Sequence, residues 1–344
     1  MGNDSAPVPP MSDERGQLAA DRRAISTISG EGAPYFSVII PNWNGERHLP
    51  TCLDALRRQT WRDFETIVVD NASQDGSLRL LGDRYPEVRV VALAENRFFS
   101  GGVNAGIAVA RGEVIVLLNN DTEADANWLL ELKKALDAHP QAGFAASKLL
   151  LFDRRNIIHS AGDFYRRDGV PGNRGVWEED RGQYDQDVWV FSACAAAAAY
   201  RRSMLDRVGW LDEDFYGYCE DVDLAFRAQL AGYRCIFVPT AIVYHRLSAT
   251  GGGPIASYYV GRNFVNVIIK DMPGGLLRRY WPRIVKAQLR YLAESLWHIR
   301  EPAARARLVG QFASLRQIRL MLRKRRLIQT ARCVSDRDID AMLS

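Results

Sequence analysis

No apolar stretch of the chain approaches the roughly 18 residues that a membrane-spanning helix needs. Residues 1–34 also lack the hydrophobic centre of a signal peptide, so a cytoplasmic location is the default expectation. The start Met1-Gly2-Asn3-Asp4-Ser5-Ala6 misses an acylation pattern at Ala6, where Ser or Thr would be needed, and lipidation is not expected. Cysteine is sparse: Cys52, Cys194, Cys219, Cys235 and Cys333 are odd in number and contain no C-x-x-C pair. That argues against a disulfide framework and against a zinc cluster, and leaves five reduced thiols.

What is present is enough for a full core: 47% hydrophobic residues over 344 positions, one large domain with an appendage or two modest domains. Charge is unevenly placed. Residues 271–344 carry 16 Lys and Arg against 6 Asp and Glu, a net +10, while residues 1–270 carry 29 against 35, a net −6. Partners of opposite sign are expected for the two parts.

Residues 1–34 are rich in Pro, Ser, Asp, Arg and Gly without an apolar period and read as a disordered leader. From Tyr35, short Val/Ile-rich runs alternate with helical stretches: FSVIIP (36–41), FETIVVD (64–70), VRVVALA (88–94) and EVIVLLN (113–119). This pattern predicts βαβ units and a mostly parallel sheet with helices on both faces. Residues 153–187 read as loop, and VWVFSACAAAAAY (188–200) as one small strand whose alanines allow close approach. YCEDVDLAFRAQLAGY then predicts a helix with an acidic first turn and a stop at Gly232. RCIFVP and AIVYH are strand-like and lead to the glycine-rich ATGGGP. From about 273 to 330 two basic amphipathic helices follow. They either pack on the preceding domain with a solvated basic face or attach to an anionic membrane surface.

In open sheets of this kind ligands bind beyond the carboxyl ends of the strands. Those ends carry Asn42 and Asn44, Asp70 and Asn71, Asn96, and Asn119-Asn120-Asp121, and their recurrence points to one shared site. Asp121 suits a hard divalent cation with oxygen ligands, although an Asp that caps the next helix would look the same. Asp70 precedes Asn71-Ala72-Ser73-Gln74-Asp75-Gly76-Ser77, whose side chains suit either a base or ribose or simple turn chemistry. Ser100-Gly101-Gly102-Val103-Asn104-Ala105-Gly106 resembles a phosphate-cradling loop, yet it matches neither G-x-G-x-x-G nor the P-loop pattern, which counts against a dinucleotide oxidoreductase and an ATPase. Glu220, Asp221 and Asp223 open a helix, where the dipole favours carboxylates in any case. Asp223 and Arg227 form a structural i,i+4 pair.

As an ordered series, SVIIPNWNG, VVDNASQDGS, ENRFFSGGVNAGI, VIVLLNNDT, FYGYCEDVDLAFRAQLAGY and VYH resemble the family 2 glycosyltransferases of GT-A fold, in particular bacterial rhamnosyltransferase-like members. The resemblance covers residues 36 to 270. It implies an α/β GT-A fold over 35–270 with a basic helical tail over 271–344, and an enzyme that uses Mg²⁺ or Mn²⁺. Pro41, Asn44, Asp70, Asn104, Asn120 and Asp121 fall on the side of a nucleoside-diphosphate sugar donor, Asp70 as partner of the base. Asp121 matches the metal-binding carboxylate of the Asp-x-Asp motif, Asn119 stands where its first Asp would be, and His245 matches a residue that completes the metal site in some relatives. Asp221 matches the catalytic base and Glu220 stands on the acceptor side. One carboxylate that takes the acceptor hydroxyl's proton and one metal that steadies the departing diphosphate suffice for transfer with inversion.

The expected acceptor is a glycan or lipid-linked glycan hydroxyl, with L-rhamnose from dTDP-L-rhamnose the favoured donor sugar. Peripheral contact with the inner face of the plasma membrane would run through the tail. Nucleic acid is not an expected partner, and the sequence leaves a homo-oligomer open. The rival reading is a non-catalytic nucleotide-sugar or glycan-binding module on the same fold, which the loss of the first motif carboxylate permits and the retention of Asp221 opposes.

Overall fold

A computed structural model describes residues 32–186, 188–247 and 253–344. The expected leader (1–34), except for its last three residues, and most of the ATGGGP loop lie outside the described residues.

Four strands, β1 (Phe36–Asn42), β2 (Phe64–Asp70), β3 (Arg89–Ala92) and β4 (Val114–Leu118), run parallel in the order β3-β2-β1-β4. Because side chains alternate along a strand, β1 feeds two cores. Phe36, Val38 and Ile40 pack with helices α1 (Leu49–Arg57), α2 (Ser77–Arg84) and α4 (Trp128–Ala138) on one face. Ile39 packs with α3 (Phe98–Val109) on the other. Each such fully buried side chain contributes about 1.5–3 kcal/mol, so the continuous apolar runs hold the sheet between two helical layers. The glycine-rich stretch that resembled a phosphate loop lies within α3. A Cβ on its Gly106 would sit 2.5 Å from Ile39 Cγ2, so that glycine lets the helix lie against the sheet.

Beyond β4 the sheet is mixed. The strand β11 (Ala197–Arg201) runs antiparallel between β4 and β6 (Ala142–Leu151), and β12 (Arg234–His245) is parallel to β6. The edge strand β10 (Trp189–Val190) pairs with β12, as does β5 (Thr122–Ala124), while β7 (Ile158–Ala161) pairs with β6. Three sequence expectations change here. The single strand over 188–200 is two strands joined by a bend; RCIFVP and AIVYH are one strand with a register shift between Val238 and Ile242. The loop over 153–187 contains β7 and a two-stranded ribbon, β8 (Asp163–Tyr165) with β9 (Pro171–Asn173). Strands of three or four residues are too short to display a period of two.

Helices α5 (Arg202–Val208) and α6 (Glu220–Leu230) complete the mixed half. The tail follows as α7 (Gly253–Lys270), α8 (Gly274–Trp297), α9 (Pro302–Thr330) and the short α10 (Asp336–Asp340). Leu276, Tyr280, Ile284, Met321, Ile339 and Leu343 join one core with Phe226 and Val267, so the tail packs onto the sheet-bearing part. Where α7 crosses α9 the backbones touch: a Cβ on Gly310 would lie 2.0 Å from the Tyr258 carbonyl oxygen, and one on Gly261 2.4 Å from that of Arg307. The outward faces carry exposed Trp281, Val285, Leu289 and Leu296 on α8, and Phe312, Leu315, Arg316, Arg319, Arg323 and Arg326 on α9. Among the described residues no helix is long and apolar enough to cross a membrane.

Candidate active site

The parallel half brings its strand ends together. Register pairs Pro41 with Val69 and Asn42 with Asp70. The buried Asn42 donates from Nδ2 to Asp70 Oδ1 (3.1 Å) and accepts at Oδ1 from Asn120 Nδ2 (2.7 Å), which joins three of the four strand ends. Asp70 Oδ2 accepts from the Ser73 amide (3.0 Å), and Asn44, in the left-handed region at φ 51°, accepts at Oδ1 from the Gln74 amide (2.7 Å). The loops after β1 and β2 therefore form one wall. Gly45 is required beside it, because a Cβ there would meet Asn42 Oδ1 at 2.1 Å and Asn120 Nδ2 at 2.2 Å. Asn104 is placed differently. Its Nδ2 donates to the Leu211 carbonyl (2.9 Å) and Glu213 Oε1 (3.0 Å), and its Oδ1 accepts from the Leu211 amide (3.2 Å). Both ends of that amide tie α3 to the turn before α6.

The pairing of Thr122 with His245 between β5 and β12 sets His245 beside Asp121. His245 Nε2 lies 3.2 Å from Asp121 Oδ1, and both side chains are buried. On its other side His245 Nδ1 meets Nδ1 of His159, on β7, at 3.0 Å. Burial and the neighbouring His245 push the His159 imidazole down to about 3, so His159 is neutral and fixes the His245 ring. A divalent ion fits this donor set. Two ligands at right angles on bonds of about 2.1 Å lie about 3.0 Å apart, close to the observed oxygen–nitrogen spacing. Asp121 and His245 would hold such an ion, with the remaining positions left for water and phosphate oxygens.

Asp221 stands across a two-residue bridge from this corner. The Ala195 amide donates to Asp221 Oδ2 (3.2 Å), while the carbonyl of the following residue, Ala196, accepts from the Asn119 amide (2.9 Å). The alanine run thus carries the acidic start of α6 on one side and the Asn119-Asn120-Asp121 turn on the other. Burial raises the Asp221 carboxyl above its ordinary 3.8. Burial, and then the charge of Asp221, lifts the adjacent Glu220 well above 4.5. A carboxylate raised in this way is a better proton acceptor than a solvated one.

Sequence reasoning missed Asp163, which neighbours Asp221, and the residues that hold the turn ahead of it. Asp163, buried at the start of β8, has ligand atoms within 4.8 Å of those of Asp221 and Cys194. Its Oδ1 accepts from Ser160 Oγ (2.6 Å) and Asn173 Nδ2 (2.8 Å). Burial, and next the Asp221 charge, pushes it up to about 7. The turn ahead of α6 is strained, with Tyr216, Tyr218 and Cys219 at φ between 64° and 66°. That costs roughly 1–2 kcal/mol per residue. From α7, Asn263 Nδ2 offsets it by donating to the carbonyls of Phe215 (3.0 Å), Gly217 (3.0 Å) and Tyr218 (2.7 Å), and Arg262 donates to those of Asp214 and Phe215. The expected Asp223–Arg227 pair is present at 2.8 Å, and Lys270 and Lys324 bind Asp212 beside it. No local motif marks Asn263, since its partners lie more than 40 residues upstream.

Comparison with known proteins gives a match to the family model described as Glycosyl transferase family 2 over residues 37–209. An uncharacterized protein, y4gI, of Sinorhizobium fredii is 34% identical over 236 residues, 64% of this chain; the chain spans 25% of that relative's length. The N-acetylglucosaminyl-diphospho-decaprenol L-rhamnosyltransferase of Mycobacterium tuberculosis is 25% identical over 70% of this chain and 86% of its own. In fold, the chain is similar to GalNAc-T7, solved with UDP, GalNAc and Mn²⁺ (TM-score 0.57, 17% identity, 70% of this chain and 48% of that one). It is also similar to the mannosyltransferase PcManGT of Pyrobaculum calidifontis, solved with GDP-Man and Mn²⁺ (TM-score 0.52, 18% identity, 92% and 95%). The architecture is that of the GT-A glycosyltransferases.

Proposed function

The chain belongs to glycosyl transferase family 2, and from that premise we propose an inverting, metal-dependent glycosyltransferase that moves a sugar from a nucleoside-diphosphate donor to a hydroxyl of a cell-surface polysaccharide or lipid-linked glycan precursor. The favoured donor is dTDP-L-rhamnose, a reading supported by likeness to the mycobacterial rhamnosyltransferase. One observation carries the proposal: two consecutive residues, through the Ala195 amide and the Ala196 carbonyl, hold the carboxylate of Asp221 and the start of the Asn119-Asn120-Asp121 turn. In this reading the wall of Pro41, Asn44, Asp70 and Asn120 receives the nucleotide, with Asp70 facing the base.

Asp121 and His245 would hold Mg²⁺ or Mn²⁺, which would supply positive charge to the diphosphate. Asp221 takes the proton of the attacking hydroxyl, and its raised affinity for protons suits that task at neutral pH. Glu220 remains on the acceptor side, where burial and the neighbouring Asp221 raise its affinity for a proton. Residues 35–270 form the catalytic unit in this proposal. The outward faces of α8 and α9, apolar residues interleaved with arginines, lie against an anionic membrane surface.

A thermal-shift panel of nucleotide sugars with Mn²⁺ tests the reading, since a ligand bound only to the folded state raises the melting temperature. A dTDP-sugar should stabilise the protein most. The metal-dependent part of that shift should vanish with a chelator or in Asp121→Ala. If no nucleotide sugar raises the melting temperature, the proposal fails.

A further inference from the structure

The reaction proposed above makes no use of a basic cleft between the β8–β9 turn and α8. Arg166 and Arg167 line it from the turn, and Arg283, Lys286 and Arg290 line it from the helix, with Asp168 the one acidic side chain among them. Ser344 closes one side. Arg166 is paired with Asp168 at 2.8 Å and Arg167 with Asp340 at 2.9 Å. Arg283, Lys286 and Arg290 make no ion pair among the described residues, although they share one side of α8 at i, i+3 and i+7. Like charges so placed repel one another, and an anion between them removes that penalty.

We propose that this cleft holds the diphosphate of a lipid-linked acceptor, a site that rests on the glycosyl transfer proposed above. Three observations point there. The cleft is about 290 Å³, just below the usual ligand-pocket sizes of roughly 300–1,000 Å³, and so suits a compact charged group. It also lies at a suitable reach from the base. Strand β8 starts at Asp163, beside Asp221, and ends at Tyr165, next to Arg166; three residues of extended chain span about 10 Å. A short saccharide is long enough to cover that distance, which would put its hydroxyl at Asp221 and its diphosphate among the arginines. Finally, the exposed stripe Trp281, Val285, Leu289 and Leu296 runs along α8 beside the basic row, where a lipid chain leaving the cleft would meet the surface of a bilayer.

Isothermal calorimetry of the full chain with inorganic pyrophosphate is the direct test. The wild type should bind it, and Arg283→Gln/Lys286→Gln/Arg290→Gln should bind about tenfold more weakly or worse. These three side chains are exposed and unpaired with carboxylates, so their neutralisation leaves no buried charge behind. The single variant Lys286→Glu gives a second reading in a minimally altered protein. In transfer assays, the wild type should prefer a short-chain diphospho-lipid saccharide over the same saccharide as a phosphate-free glycoside, through KM, and the triple variant should lose that preference.

Wild type that does not bind pyrophosphate, or a triple variant with undiminished affinity, overturns the site. So does capture of phosphatidylglycerol vesicles through these residues without any pyrophosphate binding, which would make the cleft a headgroup surface. Pyrophosphate binding that the triple variant abolishes, in a protein that stabilises with no nucleotide sugar, supports the anion site while removing the glycosyl-transfer reading.

Discussion

The two halves of the sheet hold their site residues in different ways. In the parallel half, Asn42, Asp70 and Asn120 are fixed by their immediate neighbours at the ends of adjacent strands, and the β1 and β2 loops bond to each other. In the mixed half, Asp221 hangs from an alanine bend and from a strained turn that α7 restrains. Its acidic neighbour Asp163 arrives on a three-residue strand. A wall built from local loops tolerates change elsewhere in the chain. A carboxylate held by distant contacts is exposed to mutations far from it.

The largest test of that contrast is Asp221→Asn. Transfer should fall by about 10²–10⁴-fold while donor binding, measured by calorimetry, stays near wild type; a variant with near-normal turnover would remove the assignment of the base. Next comes Asn263→Ala, which touches no expected ligand. Loss of three hydrogen bonds to the 215–218 turn should cost about 1–3 kcal/mol in stability and lower kcat about tenfold, with the donor KM unchanged. An equal loss in donor affinity would erase the distinction between the halves.

The smallest effect is expected for Asp163→Asn, through pH. Asp163 keeps its proton up to about 7, so below that pH the variant replaces one neutral group beside Asp221 with another. The acidic limb of the rate profile should stay within about half a pH unit of wild type, and a limb displaced by about a full unit would show that Asp163 is charged while Asp221 titrates. The sign for stability is opposite to that of a salt-bridged carboxylate. Asp163 is raised from 3.8 to about 7, so the folded state holds its proton more tightly, and stability falls as pH climbs between those values. The variant should flatten that slope in denaturation curves.

The same contrast governs what could be read from the sequence. FETIVVD matches β2 end to end because a strand buried on both faces is a continuous apolar run, and its terminal Asp is where the chain must leave the sheet. Asp121 and His245 were legible as motif positions, and the sheet register brings them to 3.2 Å. His159 and Asp163 were not legible, since they lie in a stretch too short-stranded and too polar to announce pairing. Asn104 was expected on the donor side as a glycine-flanked amide; its side-chain hydrogen bonds go to the Leu211 backbone and Glu213. Arg262 and Asn263 look like ordinary polar residues on a helix until the carbonyls they serve are seen.

The crossing of α7 and α9 at Gly261 and Gly310 has a geometric consequence. Backbones in contact have no slack between them, so the outer face of the tail and the turn that carries Asp221 behave as one solid part. On the proposed reading, in which that face rests on a bilayer, the height of Asp221 above the lipid is set by the protein and does not adjust to the substrate. Acceptors would then be sorted by length as well as by chemistry, in the manner of a depth gauge.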